Sequence, residues 1–210
     1  MIKKELYPKT PRIKVGGESI KITEKLDGSN LIIYKLLGVI YFAQRNTIFS
    51  YEELEENKDK LYKGLLGWAN AHIKQLEKEL YEGSCICGEW LGMGKIKYTV
   101  DEFDKRFYMF AKARIDIFLN LSNLNYDHEQ FIYPFESQII PSFIGVVPTV
   151  GNIPYLPDKE ALDLIYERYC TKVNRQVEGF VIEFHNIITK YVRMKNGKII
   201  EYSDNDHKGA

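Results

Sequence analysis

Residues 19–34 read Ser19-Ile20-Lys21-Ile22-Thr23-Glu24-Lys25-Leu26-Asp27-Gly28-Ser29-Asn30-Leu31-Ile32-Ile33-Tyr34. The first five alternate polar and apolar side chains, as a strand with one covered face does, and Leu31 to Tyr34 form a second strand candidate. Asp27-Gly28 supplies the turn between them. Lysine is depleted in strand interiors, yet Lys25 stands just before that turn. An ammonium becomes nucleophilic only after losing its proton, which desolvation or nearby cations promote. These residues alone fit a plain hairpin carrying a solvated lysine better than a functional site.

Outward from this segment, Leu31–Lys35 and Val39–Asn46 are expected to pair around Leu37-Gly38. Residues 52–81 carry Leu61, Leu65, Ala69, Ile73, Leu76 and Leu80 at helical spacing, with a break near Gly64 or Gly67 and a cap at Gly83. Residues 84–90 and 107–115 read as buried strands. Pro134, Pro141, Pro148, Pro154 and Pro157 divide the middle of the chain into short pieces. A second helix spans 158–172, with Leu162, Ile165, Tyr166 and Tyr169 on one face. Strands at 177–184 and 190–195 close the pattern as a hairpin through His185-Asn186, and 203–210 is a polar tail. Strands interleaved with two helices predict an α+β fold rather than a doubly wound parallel sheet.

The chain has 210 residues, enough for one substantial core, and one domain over 1–210 is expected. Its 29 basic and 29 acidic residues cancel, so no global field draws in a polyanion, and any such site must come from local cations. Lys3, Lys4, Lys9, Arg12 and Lys14 read as a solvated face, with an end-binding patch as the alternative. No stretch has the length of a membrane span and the first residues lack an apolar leader core. Three cysteines, an odd number, point to reduced thiols and a cytoplasmic location. Cys85 and Cys87 have no second pair at metal-ligand spacing and read as small buried hydrophobes.

Four further windows bear on Lys25. Arg45-Asn46 closes the strand paired with the one leaving the turn. Cys87-Gly88-Glu89-Trp90 sets a carboxylate in an apolar strand, and Val177-Glu178-Gly179-Phe180 repeats it; a buried carboxylate needs a partner or a wet cleft. Tyr191-Val192-Arg193-Met194-Lys195 alternates cations with apolar residues. Each window alone also fits a salt-bridged edge or a solvated face. Strand-borne cations suit a triphosphate, two carboxylates suit Mg²⁺ or a ribose hydroxyl, and a lysine among them can attack phosphorus. No GxxxxGK[ST] loop or GxGxxG turn is present.

In that order the windows resemble the covalent nucleotidyltransferase superfamily of DNA ligases, RNA ligases and mRNA capping enzymes. Lys25-Leu26-Asp27-Gly28 is similar to motif I, Arg45 to the arginine after it, and Gly88-Glu89 to motif III. Phe107 to Phe110 is similar to motif IIIa, Glu178-Gly179 to motif IV, and Arg193-Met194-Lys195 to motif V. The resemblance runs from about residue 22 to 198 and, with Asn30 after motif I, is nearest to RNA ligases of the T-even phage second-ligase type and their kinetoplastid editing relatives. It implies antiparallel sheets flanked by helices with the nucleotide in a cleft between them, and no OB-fold.

The resemblance also implies the chemistry. Lys25 attacks the α-phosphate of ATP, releases pyrophosphate and carries AMP, which passes to an RNA 5′-phosphate before a 3′-hydroxyl displaces it. Glu24, Asn30, Arg45, Glu89, Phe110, Arg193 and Lys195 would bind ATP. Arg45 would meet phosphate or ribose, Glu89 the ribose, Phe110 the adenine, and Arg193 and Lys195 the α-phosphate. Asp27 and Gly28 form the motif turn, and Glu178 holds Mg²⁺ (or Mn²⁺). The expected partners are RNA ends, with DNA ends and a separate end-binding partner as alternatives, and no membrane. The expected location is the cytoplasm, a phage protein in its host's cytoplasm being compatible.

Two departures stand out. Arg193 occupies a position that is usually lysine, keeping the charge without the compact donor. The chain ends fifteen residues after Lys195, without an OB-fold or helical domain following, so end sealing is expected to suffer more than self-adenylylation. The competing readings are DNA nick sealing, a guanylyltransferase using GTP, and a nucleotide- or RNA-end-binding protein without turnover.

Overall fold

The computed structural model describes residues 18–115, 132–134, 137–155, 157–184, 187–195 and 198–200. Lys3, Lys4, Lys9, Arg12, Lys14, the turn His185-Asn186 and the tail 203–210 lie outside the described residues. The chain folds as two compact units, one holding 28–94 and 98–146, the other 18–27, 95–97 and 147–200.

The first unit is a seven-stranded sheet with one helix. Its strands are β2 (Ser29–Leu36), β3 (Val39–Ala43), β4 (Ile48–Ser50), β5 (Ser84–Trp90), β6 (Phe107–Ile115), β7 (Ile132–Pro134) and β8 (Gly145–Val146). They run in the order β4-β3-β2-β5-β6-β7, all antiparallel, with β8 joining β6 as a short parallel pair. The predicted β2–β3 hairpin is present, with Leu36 opposite Val39. Both turn residues have positive φ, 50° at Leu37 and 78° at Gly38, the conformation that matches strand twist in a two-residue loop.

Helix α1 (Leu65–Glu79) is shorter than the predicted 52–81. Leu65, Ala69, Ile73 and Leu76 recur every three or four residues and bury one face. Upstream, residues 52–60 are almost all charged and only Leu54 is buried, so no apolar stripe exists to hold a helix against the sheet. That stretch forms turns and one 3₁₀ turn at Lys58–Lys60. At the other end the cap is Leu80 rather than Gly83. Leu31, Ile33, Phe42, Ile86, Trp90, Phe107 and Met109 form the core with α1. The opposite sheet face carries Ile32, Tyr34, Ala43, Cys85, Cys87 and Ala113. Cys85 and Cys87 are fully buried there with their Sγ atoms 3.8 Å apart.

The second unit has β1 (Glu18–Lys25), β9 (Thr149–Tyr155), β10 (Gly179–Phe184) and β11 (Ile187–Val192) in the order β11-β10-β1-β9, all antiparallel. A small hairpin of β12 (Met194–Lys195) and β13 (Lys198–Ile199) follows, so the predicted strand 190–195 is divided between β11 and β12. The break occurs where the Arg193 and Met194 N–H groups both donate to the Glu178 carbonyl.

Helix α2 (Lys159–Val173) agrees with its sequence signals. Asp158 accepts the Ala161 N–H at 2.8 Å as N-cap, and Asn174 ends the helix in the left-handed conformation. Leu162, Tyr166 and Tyr169 pack on Ile20, Ile22, Phe180, Ile182 and Tyr191 of the sheet. The sheet therefore has one face under α2 and one turned away from it. Among the described residues no helix is long and apolar enough to cross a membrane.

Candidate active site

Lys25 is the last residue of β1 and pairs across the ladder with Gly179. Successive strand residues point to opposite faces. Ile20, Ile22 and Glu24 turn toward α2, so Thr23 and Lys25 belong to the other face. No side chain fits opposite Lys25: a Cβ on Gly179 would lie 2.0 Å from the Tyr191 carbonyl oxygen. Glu178, next to that glycine, accepts a hydrogen bond from Lys25 Nζ at 2.6 Å. Both side chains are mostly buried, 25% and 17% exposed. Burial pushes the Glu178 carboxyl above the usual glutamate range, with Asp27 adding to the rise and Lys25 and Lys190 opposing it.

The turn after Lys25 is fixed from two sides. Asp27 Oδ2 accepts the backbone N–H groups of Lys95 and Ile96 at 2.5 and 2.7 Å, an anchor invisible in the sequence. Gly28 is required by contact, since a Cβ there would come within 2.4 Å of the Trp90 carbonyl oxygen.

Glu24, expected to bind ATP, turns its carboxylate toward the core. Its carboxylate is 0% exposed and accepts from Arg175 Nη1 and Nη2 at 2.5 and 2.6 Å, with the Tyr169 hydroxyl donating at 2.8 Å. Facing the core, a carboxylate must be paired and hydrogen-bonded, and it is. Arg193, also expected to bind ATP, has its side chain on the same side. Its guanidinium pairs with Asp163, donates to the Ile200 carbonyl at 3.2 Å and to the Tyr191 hydroxyl at 3.0 Å, and lies over the Tyr166 ring. Tyr166 and Tyr191 belong to the α2-side core, so this guanidinium is on the face away from Lys25. For Lys195 the backbone is described, paired with Lys198.

The first unit holds the other predicted residues. Asn30 on β2 lies directly opposite Glu89 on β5. By strand parity both share the face of Ile32 and Cys87, and Phe110 packs against that cluster. Phe110 is the extra residue of a bulge, because Gly88 pairs with Met109 and Cys87 with Ala111. Bulges re-aim a side chain beside functional sites. Arg45 is exposed past the end of β3. Tyr62, which the sequence reading overlooked, ties it in: the Tyr62 hydroxyl accepts the Arg45 N–H at 3.4 Å and donates to the Asn30 carbonyl at 3.1 Å. Burial raises the Tyr62 phenol above its usual range and keeps it protonated.

A family model for RNA ligases matches residues 18–192. The chain belongs to the RNA ligase family. The match takes in Lys25, Arg45, Glu89, Phe110 and Glu178 and ends one residue before Arg193. Among solved structures, an archaeal ATP-dependent RNA ligase superposes with TM-score 0.50 at 18% identity, over 89% of this chain and 48% of that one. It shares the fold expected for the family: a ligase-type α+β domain. A putative ATP-dependent DNA ligase from Aquifex aeolicus gives TM-score 0.48 at 17% identity, over 89% and 49%. A Naegleria gruberi RNA ligase with ATP and Mn gives 0.41 at 18%, over 83% and 49%. The chain spans about half the length of these structures. No curated protein sequence matches it.

Proposed function

We propose that this chain is the nucleotidyltransferase core of an ATP-dependent RNA ligase that forms a lysyl-AMP intermediate on Lys25. The observation that carries the reading is the 2.6 Å contact between Lys25 Nζ and the half-buried Glu178, within a segment matched by the RNA ligase family model.

In this reading Lys25 Nζ loses a proton and forms a bond to the α-phosphorus of ATP while the bond to the bridging oxygen breaks and pyrophosphate leaves. Glu178 orients Nζ through its hydrogen bond, and the proton passes to solvent. An RNA 5′-phosphate oxygen then attacks the same phosphorus, and the N–P bond breaks with Lys25 recovering a proton. A 3′-hydroxyl finally attacks the 5′-phosphate and AMP leaves. Glu89 and Asn30 are suited to ribose and base edges, Phe110 to stacking on adenine, and Arg45 to phosphate or ribose. Lys195 retains its expected role toward the α-phosphate. Glu24 serves by fixing the strand end rather than by touching ATP.

Among the described residues no three His, Cys, Asp or Glu side chains gather as a ready-made cation cage. That fits Mg²⁺ or Mn²⁺ held by one protein carboxylate, Glu178, together with phosphate oxygens and water, the common arrangement in nucleotide sites. The bound ion would neutralise charge on the phosphates. RNA ends are the proposed substrates, with DNA ends as the alternative acceptor, and three cysteines in odd number support a cytoplasmic protein.

Incubation with Mg²⁺ and α-labelled ATP is expected to leave label on the protein, and Lys25→Ala to abolish it. Wild-type protein that stays unlabelled with ATP would sink the proposal. One observation favours a second reading, a nucleotide-binding protein without turnover: the Arg193 guanidinium is committed to Asp163. ATP binding without a lysine adduct would select it.

A further inference from the structure

Arg193 leaves a gap in the charge needed beside Lys25. The pentacoordinate α-phosphorus gathers negative charge on its equatorial oxygens while pyrophosphate leaves in line, opposite Lys25, so the triphosphate calls for cations on the sheet face that carries Lys25. The Arg193 side chain is 17% exposed, is bound to Asp163 and Tyr191, and lies on the α2 side of the sheet. The other face has a different cation.

Lys190 lies on β11 opposite Val181, and Val181 lies opposite Thr23 on β1. Residues directly opposite in an antiparallel ladder share a face, as do residues two apart on one strand. Thr23 and Lys25 share a face, so Lys190 shares it too. The neighbouring positions confirm the assignment, since Tyr191 is buried against α2 and Phe180 beside it. Lys190 is two strands over from β1 and two residues away from the Lys25 register, roughly 12 Å from Lys25 at ordinary strand spacing and rise. A triphosphate and two long lysine side chains span that distance. Between them stands Glu178, bonded to Lys25 and under the electrostatic influence of Lys190. Lys190 is half-buried, a setting in which a charge-assisted bond to phosphate is worth more than in open water.

Resting on the lysyl-AMP reading above, we propose that Lys190 contacts the triphosphate of ATP and supplies, on the Lys25 face, the positive charge that Arg193 does not. Lys190 is thus a phosphate-binding residue of the adenylation step. Lys21, on the same face but opposite Glu183, is the natural control.

The test uses the full chain with Mg²⁺ and α-labelled ATP, following the rate of label transfer against ATP concentration in wild type, Lys190→Met, Lys190→Arg and Lys21→Met, each checked for wild-type melting. Lys190→Met is expected to need about 10-fold more ATP for half-maximal labelling, the loss of one charged hydrogen bond. Lys190→Arg recovers most of this, and Lys21→Met matches wild type. An unchanged ATP dependence in Lys190→Met overturns the proposal. Equilibrium binding of ATP and of adenosine to Lys25→Ala, with and without Lys190→Met, separates the two readings. Weakened binding of ATP but not adenosine supports Lys190 even if wild type never takes label, which would refute only the lysyl-AMP chemistry. Equal ATP affinities, or no ATP binding by Lys25→Ala, overturn the role of Lys190.

Discussion

The carboxylate of Glu24 and the guanidinium of Arg175 meet as a two-pronged pair at 2.5 and 2.6 Å, one residue before the proposed nucleophile. Breaking a buried pair strands a charge, which costs far more than the pair contributes. Arg175→Met is therefore expected to lose about 3 kcal/mol of unfolding free energy in urea titrations. Adding Glu24→Gln removes the stranded charge and should recover part of that loss. A double variant no more stable than Arg175→Met would contradict this account.

Glu178 predicts a pH dependence with a definite sign. Burial raises its carboxyl in the folded state above the unfolded value of 4.5. Between the two values the folded protein holds more proton than the unfolded chain, so stability falls as pH rises through that interval. The contribution is fully present below 4.5 and lost above the raised value. Glu178→Gln does not titrate, so its urea midpoints measured from pH 4 upward should lack this slope. An identical slope in both proteins would assign the proton to another group.

The strand–turn–strand around Lys25 and helix α2 were legible because alternation and the Asp158 cap are local signals. The site was legible only in part. Adjacent strand residues point their side chains to opposite faces, so the Glu24 carboxylate and the Lys25 ammonium part there. A carboxylate in phase with Ile20 and Ile22 also called for a buried cation, which was the available signal for Arg175. Arg193 could not be oriented from sequence, because the break between β11 and β12 depends on two N–H groups sharing the Glu178 carbonyl. Nor could Asp27 reveal its anchor, which lies 68 residues away.

Leu37 offers a test of the hairpin. It is 81% exposed and holds φ at 50°, where an L-residue with a Cβ is strained. Asparagine tolerates this conformation and precedes glycine in the favoured two-residue turn. Leu37→Asn should raise stability by about 1 kcal/mol, read as a higher melting temperature. A lower one would mean that Glu82, which accepts the Leu37 and Gly38 N–H groups, dictates this turn instead.

The facing thiols of Cys85 and Cys87 give the first unit a built-in clock. Both are at 0% exposure on a central strand, whereas Cys170 on α2 is partly accessible. A thiol-reactive dye added to native protein should therefore modify Cys170 first. Cys85 and Cys87 become reactive only when the seven-stranded sheet opens, so their modification rate times that opening. The fluctuations of the two units can then be recorded separately in one unmutated chain.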